Sequence, residues 1–172
     1  MPRPSSRKTA YALTMPPKKP APHTGPFLQL ACFCEKVITD NEGVLSLIRI
    51  VDRVTQTATG VDVPEQMPPF VISDLKLVMS LKAGEARGRY ALKLRPEDPS
   101  GSQLPPFEVA VQLVSGNQGV NVITDMQLAV QHEGVYWFDI FFAPGVGAED
   151  WLLTRIPLEV QYQPQKLAPA AD

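Results

Sequence analysis

The chain has 172 residues, a length that suits one domain able to bury roughly two thirds of its unfolded surface. Its net charge of −2 conceals an asymmetry, because residues 1–26 carry five basic residues and no acidic residue. The remainder has eleven basic and eighteen acidic residues, a net charge of −7. Since nucleic-acid binding depends on basic clusters, we expect none through the folded part.

Cysteine content and hydropathy narrow the class of protein further. The two cysteines, Cys32 and Cys34, are too few for the disulfide framework of a small secreted domain, so we expect both to be reduced. No apolar run is long enough for a membrane span. The segment at residues 11–15 is too short and too polar for the centre of a secretory signal. These features predict a cytoplasmic protein that does not enter a membrane.

Residues 1–26 have the composition of a disordered arm. They contain seven of the eighteen prolines and few large apolar side chains, so they bury too little surface to offset the entropy of ordering. Two interpretations of this arm stay open, a solubilising leader and a basic docking segment. Met15, followed by Pro-Pro-Lys-Lys-Pro, is an alternative translation start.

The first ordered elements are predicted to form a hairpin. Residues 27–38 are apolar on both faces, which is typical of a central or covered strand. The turn Asp40-Asn41-Glu42-Gly43 follows, with Gly43 suited to a positive φ. Residues 44–54 return as a second strand. The polar residues 55–69, which include Gly60 and three prolines, predict a loop.

Two further strands are predicted over residues 70–81 and 87–95. In the second of these, Leu92 and Leu94 alternate with Lys93 and Arg95. The cationic face must meet water, because unpaired cations cannot be desolvated.

The stretch from Phe107 to Tyr162 contains four runs with large side chains at every second position. Alternation at period two indicates strands with one face in a core. Tight turns separate the runs, so we expect them to form one antiparallel sheet. Pro157 lies inside the last run and removes a ladder donor, which predicts a sheet edge or a bulge there. The runs are residues 107–113, 120–130, 135–142 and 152–162.

Together these patterns predict an all-β fold, an Ig-like antiparallel β-sandwich of about eight strands. The sandwich domain covers residues 27–162. The disordered N-terminal arm covers residues 1–26, and a loose C-terminal tail covers residues 163–172.

Several phrases of the sequence resemble a bacterial family of uncharacterised β-sandwich proteins, a domain of unknown function. The phrases are Cys34-Glu-Lys-Val-Ile, Gly43-Val-Leu-Ser-Leu-Ile-Arg-Ile-Val-Asp-Arg53, Gly134-Val-Tyr-Trp-Phe-Asp139 and Leu153-Thr-Arg-Ile-Pro-Leu158. The resemblance covers about residues 27–162 and implies a β-sandwich and a bacterial source. It carries over no catalytic or ligand-binding residue.

Enzymatic chemistry has little support in the sequence. A nucleophile, a base and an orienting group are needed for hydrolysis, and His132 is the only histidine of the folded part. The Cys-x-Cys motif of Cys32 and Cys34 has two interpretations: the two thiols are part of the core, or they form a metal-binding or redox pair. Zinc needs four ligands, which the chain does not visibly supply. We therefore expect neither catalysis nor a cofactor.

Paired carboxylates in predicted loops give an alternative function. Asp40, Glu97 and Glu149 each lie beside a second acid or in an acidic turn. Calcium takes oxygen ligands from flexible loops. The alternative is therefore a ligand- or calcium-binding β-sandwich that uses these acidic loops.

Charged residues within apolar strands are the strongest anomaly, because buried charges are rarely tolerated unless they are paired. One interpretation is a structural set of ion pairs, with Asp139 and Arg155 joined across a hairpin. The other is a recognition patch for a protein partner, with tryptophans as anchors of the kind enriched at interfaces. The residues of this patch are Arg49, Arg53, Trp137, Asp139, Trp151 and Arg155.

The leading hypothesis is a non-enzymatic binding or structural module. It would engage a protein partner through a sheet face or an exposed edge strand, because main-chain hydrogen bonds give affinity without conspicuous side chains. The sequence names neither the partner nor the oligomeric state.

Overall fold

The computed structural model describes residues 24–114, 116–145 and 149–167, and within these ranges the chain forms nine strands and no helix. The described residues therefore include no helix that could cross a membrane. Most of the predicted arm, residues 1–23, and the tail from residue 168 lie outside these ranges. The strands are β1 (Phe27–Thr39), β2 (Leu45–Val51), β3 (Arg53–Gly60), β4 (Phe70–Gly84), β5 (Gly88–Glu97), β6 (Phe107–Leu113), β7 (Gly116–Val130), β8 (Gly134–Ala143) and β9 (Trp151–Lys166).

The nine strands form two sheets. The first has four strands in the order β2-β1-β4-β7, all antiparallel. The second has five strands in the order β3-β9-β8-β5-β6, and it is mixed because β3 pairs with β9 in parallel. The prediction of an all-β fold is confirmed. The central position predicted for the first strand is also confirmed, since β1 lies between β2 and β4.

The inner faces of the two sheets share one hydrophobic core. Strand β8 shows the alternation most clearly, because Tyr136, Phe138, Ile140 and Phe142 are all buried while the residues between them face outward. The ring of Phe138 meets that of Phe33 on β1 edge to face, with centroids 4.9 Å apart. This contact joins the two sheets directly.

The last four predicted strands do not form one sheet, so that prediction is wrong. β6, β8 and β9 belong to the five-stranded sheet, whereas β7 pairs with β4 in the other. Alternation shows which residues of a strand are buried, but it carries no information about the neighbouring strand. Because both sheets bury one face in the same core, the pattern is the same for either sheet.

The predicted second strand and the loop after it are also corrected. The chain breaks at Asp52, where it leaves the four-stranded sheet and enters the five-stranded sheet as β3. The carbonyl of Asp52 accepts the Glu159 N–H at 2.9 Å, which fixes the crossing. Residues 55–60, predicted as loop, belong to strand β3. Their polarity was misleading because the threonines of β3 face water along a sheet edge, where a strand can be polar.

Pro157 is not on an edge strand, since β9 lies between β3 and β8. Pairing of β9 with β3 begins only at Glu159, so at Pro157 the strand β9 pairs with β8 alone. The missing N–H of Pro157 therefore interrupts no bond to β3. The expected bulge lies nearby, where the pairing of β8 with β9 shifts after Ile140. β9 continues to Lys166, four residues into the segment predicted as tail.

Candidate partner-binding surfaces

The six residues predicted for a recognition patch divide among different parts of the fold. Trp151 is half-buried, packs against the core and stacks on Phe142, with ring centroids 5.6 Å apart. Arg49 lies on β2 of the four-stranded sheet. The remaining four residues belong to the five-stranded sheet, and they are Arg53, Trp137, Asp139 and Arg155.

Arg155 is the centre of an ion-pair group on the outer face of the five-stranded sheet. Its Nε lies 3.0 Å from Asp139 Oδ1, and its Nη2 lies 3.0 Å from Glu97 Oε2. The Asp139 contact is an ion pair without hydrogen-bond geometry, and both its atoms are closed to water. The guanidinium also lies 5.0 Å from the centroid of the Trp137 ring. The pairing of Asp139 with Arg155, expected from their positions across a hairpin, is confirmed.

A second group lies beside the first on the same face. Asp150, whose side chain is only 18% exposed, contacts Lys93 Nζ at 3.1 Å and Arg95 Nη2 at 2.8 Å. Arg95 also lies over the Phe141 ring, 4.2 Å from its centroid. We call the two groups together the charged face, made up of Lys93, Arg95, Glu97, Trp137, Asp139, Phe141, Asp150 and Arg155.

The ions of the charged face neutralise one another. Its three cations each contact a carboxylate within the face, and its three carboxylates each contact a cation. A partner that bound Arg155 would have to displace Asp139 and Glu97, leaving partly buried carboxylates unpaired. This arrangement favours a structural role for the charged face.

The two cysteines lie on the outer face of the four-stranded sheet, where Cys34 is fully buried. Burial raises the pKa of both thiols, and the neighbouring Cys34 raises that of Cys32 further. Both thiols are therefore protonated near neutral pH, whereas metal binding and nucleophilic attack use the thiolate. Among the described residues, no three His, Cys, Asp or Glu side chains lie close enough to hold a metal ion.

The acidic loops use their carboxylates to hold turns. Asp40 Oδ1 accepts the N–H groups of Glu42 and Val44 at 2.9 and 2.8 Å. Asp98 Oδ1 accepts from the Ser100 hydroxyl and from the N–H groups of Ser100 and Ser102, and these bonds lower its pKa. Such short-range bonding is the ordinary work of aspartate in a turn. The structure therefore adds no support to the calcium alternative.

A gap within the four-stranded sheet is the feature that sequence reasoning missed. β1 and β4 pair as far as Cys34 and Lys76 and then separate. Beyond that point residues 36–39 of β1 pair with β2, while residues 70–75 of β4 lie along β7 and pair with it at residues 70–72 and 75, with a bulge between. We call the gap between these two segments the sheet split. Among the described residues, each segment has a strand neighbour on one side only.

The sheet split opens into a cleft of about 840 Å³. Its walls include the charged residues Glu35, Arg49 and Asp74 and apolar residues such as Val54 and Leu75. Arg49 and Arg53 therefore share this cleft, although Arg53 is held by Glu159 at 2.8 Å and Arg49 by Glu35 at 3.3 Å. Two of the predicted site residues thus lie at the sheet split and three on the charged face.

Backbone strain marks the same cleft. Arg49 has a φ of 54°, and it is the one non-glycine residue with a positive φ in the described part of the chain. This conformation costs an ordinary residue roughly 1–2 kcal/mol. Strain of this kind is concentrated at functional sites, where surrounding structure holds it in place.

Exposed apolar side chains also gather around the sheet split. Ile50 is 64% exposed and Val71 is 60% exposed, and both line the cleft. On the hairpin of β1 and β2, Ile38, Val44 and Ile48 are exposed as well. Contiguous exposed apolar surface is typical of a binding site. The sequence signal for this surface is that residues 44–54, the predicted second strand, carry large apolar residues on both faces. On an edge strand that pattern leaves one apolar face uncovered.

Comparison with known proteins gives a family and no function. No curated protein and no solved structure matches the chain. A family model matches residues 29–161, which is more than half of the chain and spans β1 to β9. The chain therefore belongs to DUF6941, a family of unknown function.

Proposed function

We propose that the protein is a non-enzymatic binding module that accepts an extended segment of a protein partner in the sheet split. The observation that carries this proposal is the pair of unpaired strand edges, residues 36–39 and 70–75, which face one gap in one sheet. An added strand would complete both ladders at once. Main-chain bonds of this kind provide affinity, and pockets for alternate side chains provide specificity.

The chemistry of the cleft indicates which partner segment it suits. Val71 borders the gap on β4 and Ile50 lines the same cleft from β2, so both offer apolar surface to apolar side chains at alternate positions of an added strand. The chain beyond residue 26 has a net charge of −7, so a basic partner is attracted from a distance. We infer an extended segment with alternating apolar residues and few acids.

A finer fold assignment also belongs to this proposal. We infer an Ig-like sandwich, and the support comes from Tyr136 near the start of β8. Its hydroxyl donates to the His132 carbonyl at 3.0 Å, in the manner of the tyrosine corner of Ig-like domains. Strand β1, inserted between β2 and β4, departs from the usual order. The bacterial source and the cytoplasmic location stay predictions.

Two matched substitutions test the binding site. Val71→Lys places a charge at the sheet split, whereas Ile123→Lys places the same charge on β7 of the same sheet, away from the cleft. Both residues are exposed, so neither change should lower the melting temperature by more than about 2 °C. The affinity for the copurified partner should fall at least roughly ten-fold for Val71→Lys and stay unchanged for Ile123→Lys. Equal affinities for the two variants would refute this binding site.

A further inference from the structure

The sheet split needs a short strand to complete it, and its dimensions define that strand. Residues 70–75 of β4 extend over about 17 Å at the usual rise of a strand. An occupant therefore needs about six residues without an interior proline, since proline cannot donate to a ladder.

The chain carries such a segment in its own N-terminal arm. Residues 5–15 contain no proline and no acid, although prolines precede them at Pro4 and follow them at Pro16. Within them Tyr11, Leu13 and Met15 alternate with small residues, which suits a strand with one apolar face. The arm is basic and the rest of the chain is acidic.

The arm is also long enough to reach the sheet split. The Thr24 carbonyl accepts the Glu85 N–H at 2.8 Å, which anchors the arm beside the end of β4 that lies farthest from the split. Leu75 lies nine residues before Gly84 on β4, a distance of about 30 Å along the strand. From Thr24 back to Met15 is also nine residues, which span about 28–32 Å when extended. Met15 can therefore lie at Leu75 with the residues before it along the rest of the gap.

We propose that residues 10–15 of the same chain occupy the sheet split as an added strand when no partner is bound. Because the arm runs from the sheet split toward its anchor beside Gly84, the added strand is parallel to β4 and antiparallel to β1. The inference rests on the proposed strand-accepting role of the sheet split. Because a tethered segment acts at an effective concentration in the millimolar range, the arm competes with a partner for the site.

Hydrogen exchange measured by mass spectrometry on the full chain tests this occupancy. The variant Tyr11→Pro/Leu13→Pro removes two main-chain donors from the proposed strand. The control Lys19→Pro changes a segment that is already rich in proline. Amides of residues 70–75 should exchange at least roughly ten-fold faster in the double variant than in the native chain or the control.

Three outcomes would overturn the inference. Equal exchange in the native chain and the double variant would show that the arm does not enter the gap. Protection that rises with protein concentration would assign the occupant to a second copy. A native protein whose intact mass corresponds to a start at Met15 would lack most of the proposed strand. If Val71→Lys still loses the partner in any of these cases, the proposed function stands and only the occupancy by the arm is lost.

Discussion

Replacing Arg155 with methionine is the sharpest test of the charged face. Methionine keeps most of the packing of the arginine stem and removes the guanidinium. The change leaves Asp139 and Glu97 without their cation, and Asp139 Oδ1 is closed to water. An unsatisfied buried group of this kind costs about 1–3 kcal/mol, and the lost contact with Trp137 adds about 0.5–1 kcal/mol. Arg155 and its two partners are each only about a quarter to a third exposed, so solvent screening is modest.

We therefore expect Arg155→Met to lower the free energy of unfolding by about 2–3 kcal/mol and the melting temperature by about 5–10 °C. The matched control is Arg53→Met, which breaks an exposed ion pair with Glu159 on the same sheet. Exposed pairs contribute at most about 1 kcal/mol, and salt screens them. Urea unfolding at low and at high salt measures both effects. A loss for Arg155→Met no larger than that for Arg53→Met would contradict the structural role of the charged face.

Three further predictions concern the core, the strained residue and one turn. Phe138→Ala removes the ring that joins the two sheets and should cost about 3–5 kcal/mol in urea unfolding, while a loss below about 1 kcal/mol would contradict the shared core. Arg49→Gly and Arg49→Ala both lose the contact with Glu35, but glycine accepts the positive φ, so the glycine variant should be about 0.5–1 kcal/mol more stable than the alanine variant. Equal free energies of unfolding for the two variants would show that the positive φ at position 49 carries no strain. Ser100→Ala removes the main donor that lowers the pKa of Asp98, so carboxyl NMR titration should show that pKa rising toward its ordinary value of 3.8. A carboxyl whose pKa is lowered by folding contributes stability above its unfolded pKa and loses it as the pH falls through the folded pKa. The Ser100→Ala difference in stability should therefore be present at neutral pH and vanish in strong acid.

The burial pattern of the fold could be read from the sequence because alternation reports directly on burial. Tyr136, Phe138 and Ile140 alternate with polar or exposed neighbours, and all three are in the core. The pairing of strands could not be read in this way. β6 and β7 follow each other in the chain yet belong to different sheets, since either sheet would bury the same residues.

The candidate sites were predicted unevenly for a related reason. The ion pair of Asp139 and Arg155 depends on a hairpin between strands adjacent in sequence, so local reasoning found it. The sheet split depends on where β1 and β4 stop pairing, although thirty residues of chain separate these strands. No local pattern encodes the point at which two distant strands part. Arg49 and Arg53 were recognised as unusual, but the cleft that they line was not.

Site-specific photo-crosslinking tests the central claim most directly. A photoreactive residue at Val71 lies at the sheet split, and the same residue at Gln112 lies on an exposed edge of the other sheet. With the partner bound, Val71 should crosslink to an extended segment of that partner, and Gln112 should not. Crosslinks from Gln112 with none from Val71 would contradict the account.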